Sequence, residues 1–240
     1  MGDSTSRRWG RRRYLQAIGT TVTIGSAGCV RSDEPATGGS VTAPTFTETE
    51  NREIDADLEF TAAAVGVGER ALSEANYEER RAFDHGMTRT YELGDQSFTA
   101  EVVSQLAEYH RRVDLERVGE QEVARFAVLS TPRVELGFQT FNPLDGITEE
   151  ALLEGLQSEY EDVRIGERVD SRVVEVLEWD VSVAKRRGTA RYRGRSVETH
   201  LHVERILRNG DYVTLIGIYP RRIDEEESVH FLMEHTEYSV

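Results

Sequence analysis

Cysteine occurs once in this chain, at Cys29, and lysine once, at Lys185. A single cysteine excludes an intrachain disulfide and leaves the rest of the sequence without a thiol nucleophile or a cysteine-based metal site. No run approaches the roughly 20 predominantly apolar residues that a membrane-spanning helix needs. Asn-x-Ser/Thr, Gly-x-Ser-x-Gly, the Walker loop and His-Glu-x-x-His are all missing, so none of these signatures of glycosylation, hydrolysis, nucleotide binding or metalloproteolysis applies. Basic residues are also scarce: 29 Lys and Arg stand against 44 Asp and Glu, for a formal net charge of −15. Such a chain is repelled by phosphate backbones, which removes nucleic-acid binding from the candidate functions.

What is present begins with an address. Arg7, Arg8, Arg11, Arg12 and Arg13 precede a short, mildly apolar segment from Ala17 to Ala27. Just before that segment Arg11-Arg12, one further residue, Tyr14 and Leu15 form the arrangement of a twin-arginine export signal. Ile24-Gly25-Ser26-Ala27-Gly28-Cys29 places small residues directly before a cysteine, as in a lipobox. Residues 1–28 are therefore expected to be a signal peptide handled by the Tat translocase, with lipid on Cys29 holding the mature protein on the extracytoplasmic face of the membrane. Residues 29–53 are rich in Ser, Thr, Pro, Gly and Glu and read as a flexible tether. Residues 54–240 remain for one folded domain. Removing 1–28 makes the chain more acidic still, and every basic residue but Lys185 is arginine. Acid excess of this kind suits concentrated salt, where the Debye length falls to ~3 Å at 1 M.

Within 54–240 strand signals dominate. Leu58 to Val65, Met87 to Leu93, Ser97 to Arg112, Glu122 to Thr131, Val173 to Val183, Val197 to Val203 and Tyr212 to Tyr219 read as strands. Gly94-Asp95 and Asn209-Gly210 are two-residue hairpin turns. Helices are expected at Glu69 to Asn76, from Thr148 with Leu152, Leu153, Leu156 and Tyr160 on its apolar face, and after Pro220, opened by Asp224 with Glu227. The expected fold is α+β, an antiparallel sheet of about six to eight strands packed against a few helices. Leu129 to Arg133 echoes Gly217 to Arg221, and Ile147 to Glu150 echoes Ile223 to Glu226. Either a duplicated unit, about 66–161 and 162–240, or ordinary strand–turn–helix grammar accounts for this.

The export signal, together with Ser130-Thr131-Pro132-Arg133-Val134-Glu135, Thr140-Phe141-Asn142-Pro143-Leu144 and Asp211-Tyr212-Val213…Gly217-Ile218-Tyr219-Pro220, resembles a family of haloarchaeal lipoproteins whose domain has no assigned function. The resemblance covers roughly residues 57–240. It implies a halophilic archaeal origin and carries over no catalytic residues. The hairpin, Tyr-Pro and C-terminal helix also look like PsbP-type domains, which often act as binding modules.

Three constellations bear on chemistry. Glu198, His200, His202 and Glu204 alternate along one strand and so share one face. Imidazoles and carboxylates so placed are metal-ligand types, but the reading favoured here is the solvent-facing side of an amphipathic strand. Gly66-Val67-Gly68 fits a loose dinucleotide fingerprint, although a polar hairpin follows where a buried parallel strand is required. Phe138, Phe141 and Tyr219 either line a binding groove or cap the core under a loop. The sequence thus points to a lipid-anchored, extracytoplasmic binding or scaffolding module without catalysis and without a cofactor. Its partners are the membrane, through Cys29, and an unidentified surface protein or small molecule. The alternative is a metal-dependent surface hydrolase using His200 and His202.

Overall fold

The computed structural model describes residues 58–115, 119–156 and 160–239. The export signal at Arg11, Arg12, Tyr14 and Leu15, the lipid site at Cys29 and the tether lie outside these residues. No helix among those described is long and apolar enough to cross a membrane.

One eight-stranded sheet dominates the fold. Its strands are β1 (Leu58–Thr61), β3 (Glu78–Leu93), β4 (Gln96–Leu115), β5 (Gly119–Pro132), β8 (Tyr160–Val176), β9 (Trp179–Tyr192), β10 (Arg195–Arg208) and β11 (Asp211–Pro220). The order runs β1-β4-β5-β11-β10-β9-β8, with β3 on the other side of β4. Every pairing is antiparallel except β1 against β4. Two small ribbons, β2 (Val65–Val67) with β12 (Thr236–Tyr238) and β6 (Val134–Leu136) with β7 (Gln139–Phe141), complete the strands among the described residues. The helices are short: α1 (Glu69–Ala75), α2 (Glu149–Leu156) and α3 (Glu226–Glu234). This corrects the expected α+β balance: the described residues are mostly β, a large mixed sheet with three short helices.

The shift toward strand has a local cause in the turns. Asn209 (φ 50°) and Gly210 (φ 85°) are both left-handed, as a type I′ hairpin requires, and Gly94 (φ 64°) takes the first position of the predicted β3–β4 turn. Two further turns use the same left-handed pair. Arg193 (φ 49°) and Gly194 (φ 76°) join β9 to β10, and Leu177 (φ 49°) and Glu178 (φ 68°) join β8 to β9. The alternation from Val173 to Val183, read as one strand, is therefore a hairpin folded at Leu177-Glu178. Tyr160 likewise opens β8 instead of closing the helix face. Thr148 does cap α2, its Oγ1 accepting from the Ala151 N–H at 3.1 Å. The capping box expected at Asp224 is not formed; Glu225 stands at the α3 N-cap without a side-chain capping bond.

Both faces of the sheet are covered. On one, Leu152 and Leu153 of α2 pack with Leu106, Ala127, Leu129, Leu201, Ile216 and Ile218. On the other, α1 and α3 pack with Phe126, Val128, Val213, Leu215 and Tyr219. Each fully buried aliphatic side chain contributes about 1.5–3 kcal/mol. The echoed segments each run from strand to helix, yet α2 and α3 sit on opposite faces. A two-fold between the adjacent antiparallel strands β5 and β11 would put both helices on one face. Gly66 and Gly68 serve the β2–β12 ribbon: the Val67 N–H donates to the Tyr109 hydroxyl at 2.9 Å, and a Cβ at Gly66 would lie 2.7 Å from that oxygen. The dinucleotide fingerprint is thus a packing device.

Candidate metal centre

Even-numbered residues of β10 turn toward α3. Glu198, His200, His202 and Glu204 alternate along β10, and the solvent-facing reading holds at Glu198, which is exposed, but fails at His202. His202 is 0% exposed. The helix comes this close because His202 stands opposite Gly217 on β11, where a Cβ would meet Val229 Cγ1 at 2.6 Å. With no side chain at 217, α3 settles onto the sheet beside the imidazole.

Glu226 and His230 lie four residues apart on α3 and so project from the same side of it. Ligating atoms of His202, Glu226 and His230 all lie within 4.8 Å of one another. The two imidazole rings stand 5.2 Å apart at 83°. Nε2 of His202 meets the Tyr219 hydroxyl at 3.2 Å, an orienting contact that leaves the opposite ring nitrogen free. Nδ1 of His202 and both ring nitrogens of His230 are buried without a hydrogen-bond partner. Leaving a buried polar atom unsatisfied costs about 1–3 kcal/mol each, so this corner of the core is destabilised as it stands.

The electrostatics hold both rings neutral. Burial lowers the His202 pKa to about 3, with His230, Lys185 and His200 adding to the effect. Burial also lowers that of His230, against the opposing pull of Glu226. Neutral imidazole is the form that donates a lone pair to a metal. Glu226 is partnered by Lys185, whose ammonium donates to Oε2 at 2.6 Å. Next along α3, Glu225 is buried between Arg111, 2.9 Å away, and the Tyr77 hydroxyl, which donates to it at 3.3 Å. That network ties the first turn of α3 to β4 and to the end of α1, fixing the helix that carries Glu226 and His230.

The remaining expected residues disperse. Glu198 is exposed and paired with Arg221 at 3.1 Å. Glu204 accepts the Ala184 N–H at 2.8 Å, and burial raises its pKa. His200 is half-buried and meets the edge of Tyr219 at 5.6 Å. Of the four, only His202 joins the cluster. The aromatic groove does not form either: Phe138 is fully exposed at the β6–β7 turn, Phe141 packs on Tyr91 at 4.9 Å, and Tyr219 is buried against His202.

The sequence profile of a domain of unknown function, DUF6517, matches residues 64–237. The chain belongs to the DUF6517 family. No curated protein matches its sequence. The DUF6517 match spans β2 through β12 and so includes every residue of the His202–Glu226–His230 cluster. An open cleft of about 310 Å³, lined by Glu74, Ala75, Arg172, Glu227, His230 and Phe231, reaches this corner of the DUF6517 domain from outside. Sequence reasoning missed Glu226 and His230 as site residues, although their i, i+4 spacing on an expected helix was a signal in plain view.

Proposed function

We propose that this protein is a lipid-tethered, extracytoplasmic domain that binds a divalent transition-metal ion through His202, His230 and Glu226. One observation carries the reading: three buried imidazole nitrogens lack any partner and share a corner of the core with a carboxylate. Zn–N and Zn–O bonds of about 2.0–2.2 Å put tetrahedral ligand atoms about 3.3–3.5 Å apart. The three groups need to close by roughly an ångström around a metal, a rotamer adjustment rather than a refolding. Nitrogen and oxygen donors in this ratio suit Zn²⁺ and its neighbours and are a poor match for Ca²⁺ or Mg²⁺. Three protein ligands leave one position for water or an anion.

The tether and address rest on the sequence: the twin arginines, the small residues before Cys29 and the resemblance to haloarchaeal lipoproteins support a domain outside the cell in strong salt. A binding role is supported by the cleft that leads to His230. Calorimetric titration of chelator-treated protein with Zn²⁺ tests the metal reading. It should show one site per chain, absent from His230→Ala. Absence of zinc binding by the wild type removes the reading. For the address, Cys29→Ser should lose its lipid and leave the membrane fraction, and Arg11→Lys with Arg12→Lys should accumulate precursor inside the cell.

A further inference from the structure

Lys185 is the only lysine in 240 residues, and it sits at the candidate metal centre. It is carried by β9, next to β10 in the sheet, and its side chain is 18% exposed. Nζ lies 2.6 Å from Glu226 Oε2. Its charge reaches both His200 and His202, the second of which is a proposed ligand. The ammonium therefore occupies the same small, largely water-excluded corner as the ion would. With Lys185 in place, the carboxylate of Glu226 is neutralised. A dication bound between Glu226 and His202 reverses the balance, adding two positive charges within reach of a third.

We infer that Lys185 is a resident counter-cation that stands in for the metal on Glu226 and is displaced to solvent when the metal binds. The inference rests on the metal reading above and adds to it an exchange of one cation for another. The residue type fits this role. A lysine ammonium is a compact charge on a flexible four-carbon stem and can swing away by rotation about its own bonds. An arginine fork would hold both carboxylate oxygens and compete with the metal for them. In a chain whose other cations are all arginine, the one position that must release its carboxylate carries the one lysine. Neutralising Glu226 in the metal-free state also spares the core an uncompensated carboxylate.

The lone lysine makes the exchange directly readable. An amine-reactive N-hydroxysuccinimide ester is applied to the full-length protein at fixed pH, with and without saturating ZnCl₂, and acylation of the peptide containing Lys185 is followed by mass spectrometry. Zinc should speed acylation severalfold, and MgCl₂ should leave it unchanged. In parallel, Lys185→Met should bind Zn²⁺ about tenfold more tightly than wild type, the worth of one charge-assisted hydrogen bond that no longer has to be broken. Zinc bound by calorimetry with an unchanged acylation rate overturns the exchange and leaves the metal centre standing. So does a Lys185→Met protein that binds zinc no more tightly than wild type. Failure of both wild type and Lys185→Met to bind zinc overturns the exchange and the metal centre together.

Discussion

The two faces of the central sheet are built from the same strands and are covered in opposite ways. The α2 face is filled largely by aliphatic side chains, and its buried Tyr160 hydroxyl is satisfied, donating to the Val123 carbonyl at 2.5 Å. The α3 face contains rings and charges: Tyr109, Tyr219, His202, His230 and the Glu225–Arg111–Tyr77 network. Dispersion and apolar burial explain most of the first face, where Glu108, Arg125 and Thr199 are also buried. They do not explain the second, where unsatisfied imidazole nitrogens cost stability that leucine in the same places would not. On the α3 face that cost gathers at one point, three unpartnered imidazole nitrogens beside one carboxylate, and a corner built in this way serves something other than folding.

The sharpest way to separate the faces is to damage each in turn. Leu153→Ala on the α2 face removes a fully buried side chain and should cost about 2–5 kcal/mol in urea denaturation, while zinc stoichiometry in the folded protein stays at that of wild type. Gly217→Ala attacks the other face. Its new Cβ falls 2.6 Å from Val229 Cγ1, so α3 must lift, at a cost of about 1–3 kcal/mol. Unlike Leu153→Ala, it should also weaken zinc binding measured by calorimetry, because Glu226 and His230 move with the helix.

The smallest expected effect appears with pH in chelator-treated protein. His202 has a folded pKa of about 3, against about 6.5 when unfolded. Between those values the unfolded chain binds the extra proton, so stability rises with pH across this window. The His202 contribution is fully present above about pH 6.5 and is lost as pH falls toward 3. From pH 7 to 5 the loss should be about 1–2 kcal/mol, and His202→Gln should reduce it, leaving the share that His230 contributes. Identical urea midpoints for wild type and variant at both pH values would show that the ring is not held neutral by the fold.

How much of this was legible depended on how local the information is. Asn209-Gly210, Gly94-Asp95 and the Thr148 cap are written in a few adjacent residues, and the structure has all three. Leu177-Glu178 turns without glycine or asparagine, its left-handed backbone held by β8–β9 pairing on either side, so no dipeptide announces it. The alternation along β10 told which residues share a face but not what covers that face. Period-two polarity implies solvent only if nothing packs there, and α3 supplies the cover from more than twenty residues downstream. His202 was accordingly read as exposed beside Glu198 and Glu204, whereas its companions are Glu226 and His230. The singular lysine was visible at once; its place against Glu226 was not.

The most direct measurement of the central claim is the visible spectrum of Co²⁺ added to chelator-treated protein, compared across single substitutions. The account predicts intense tetrahedral bands in wild type, their loss in His202→Ala and in His230→Ala, and their retention in His200→Ala, whose ring lies outside the cluster. Bands that survive both His202→Ala and His230→Ala, or that vanish in His200→Ala alone, would contradict it.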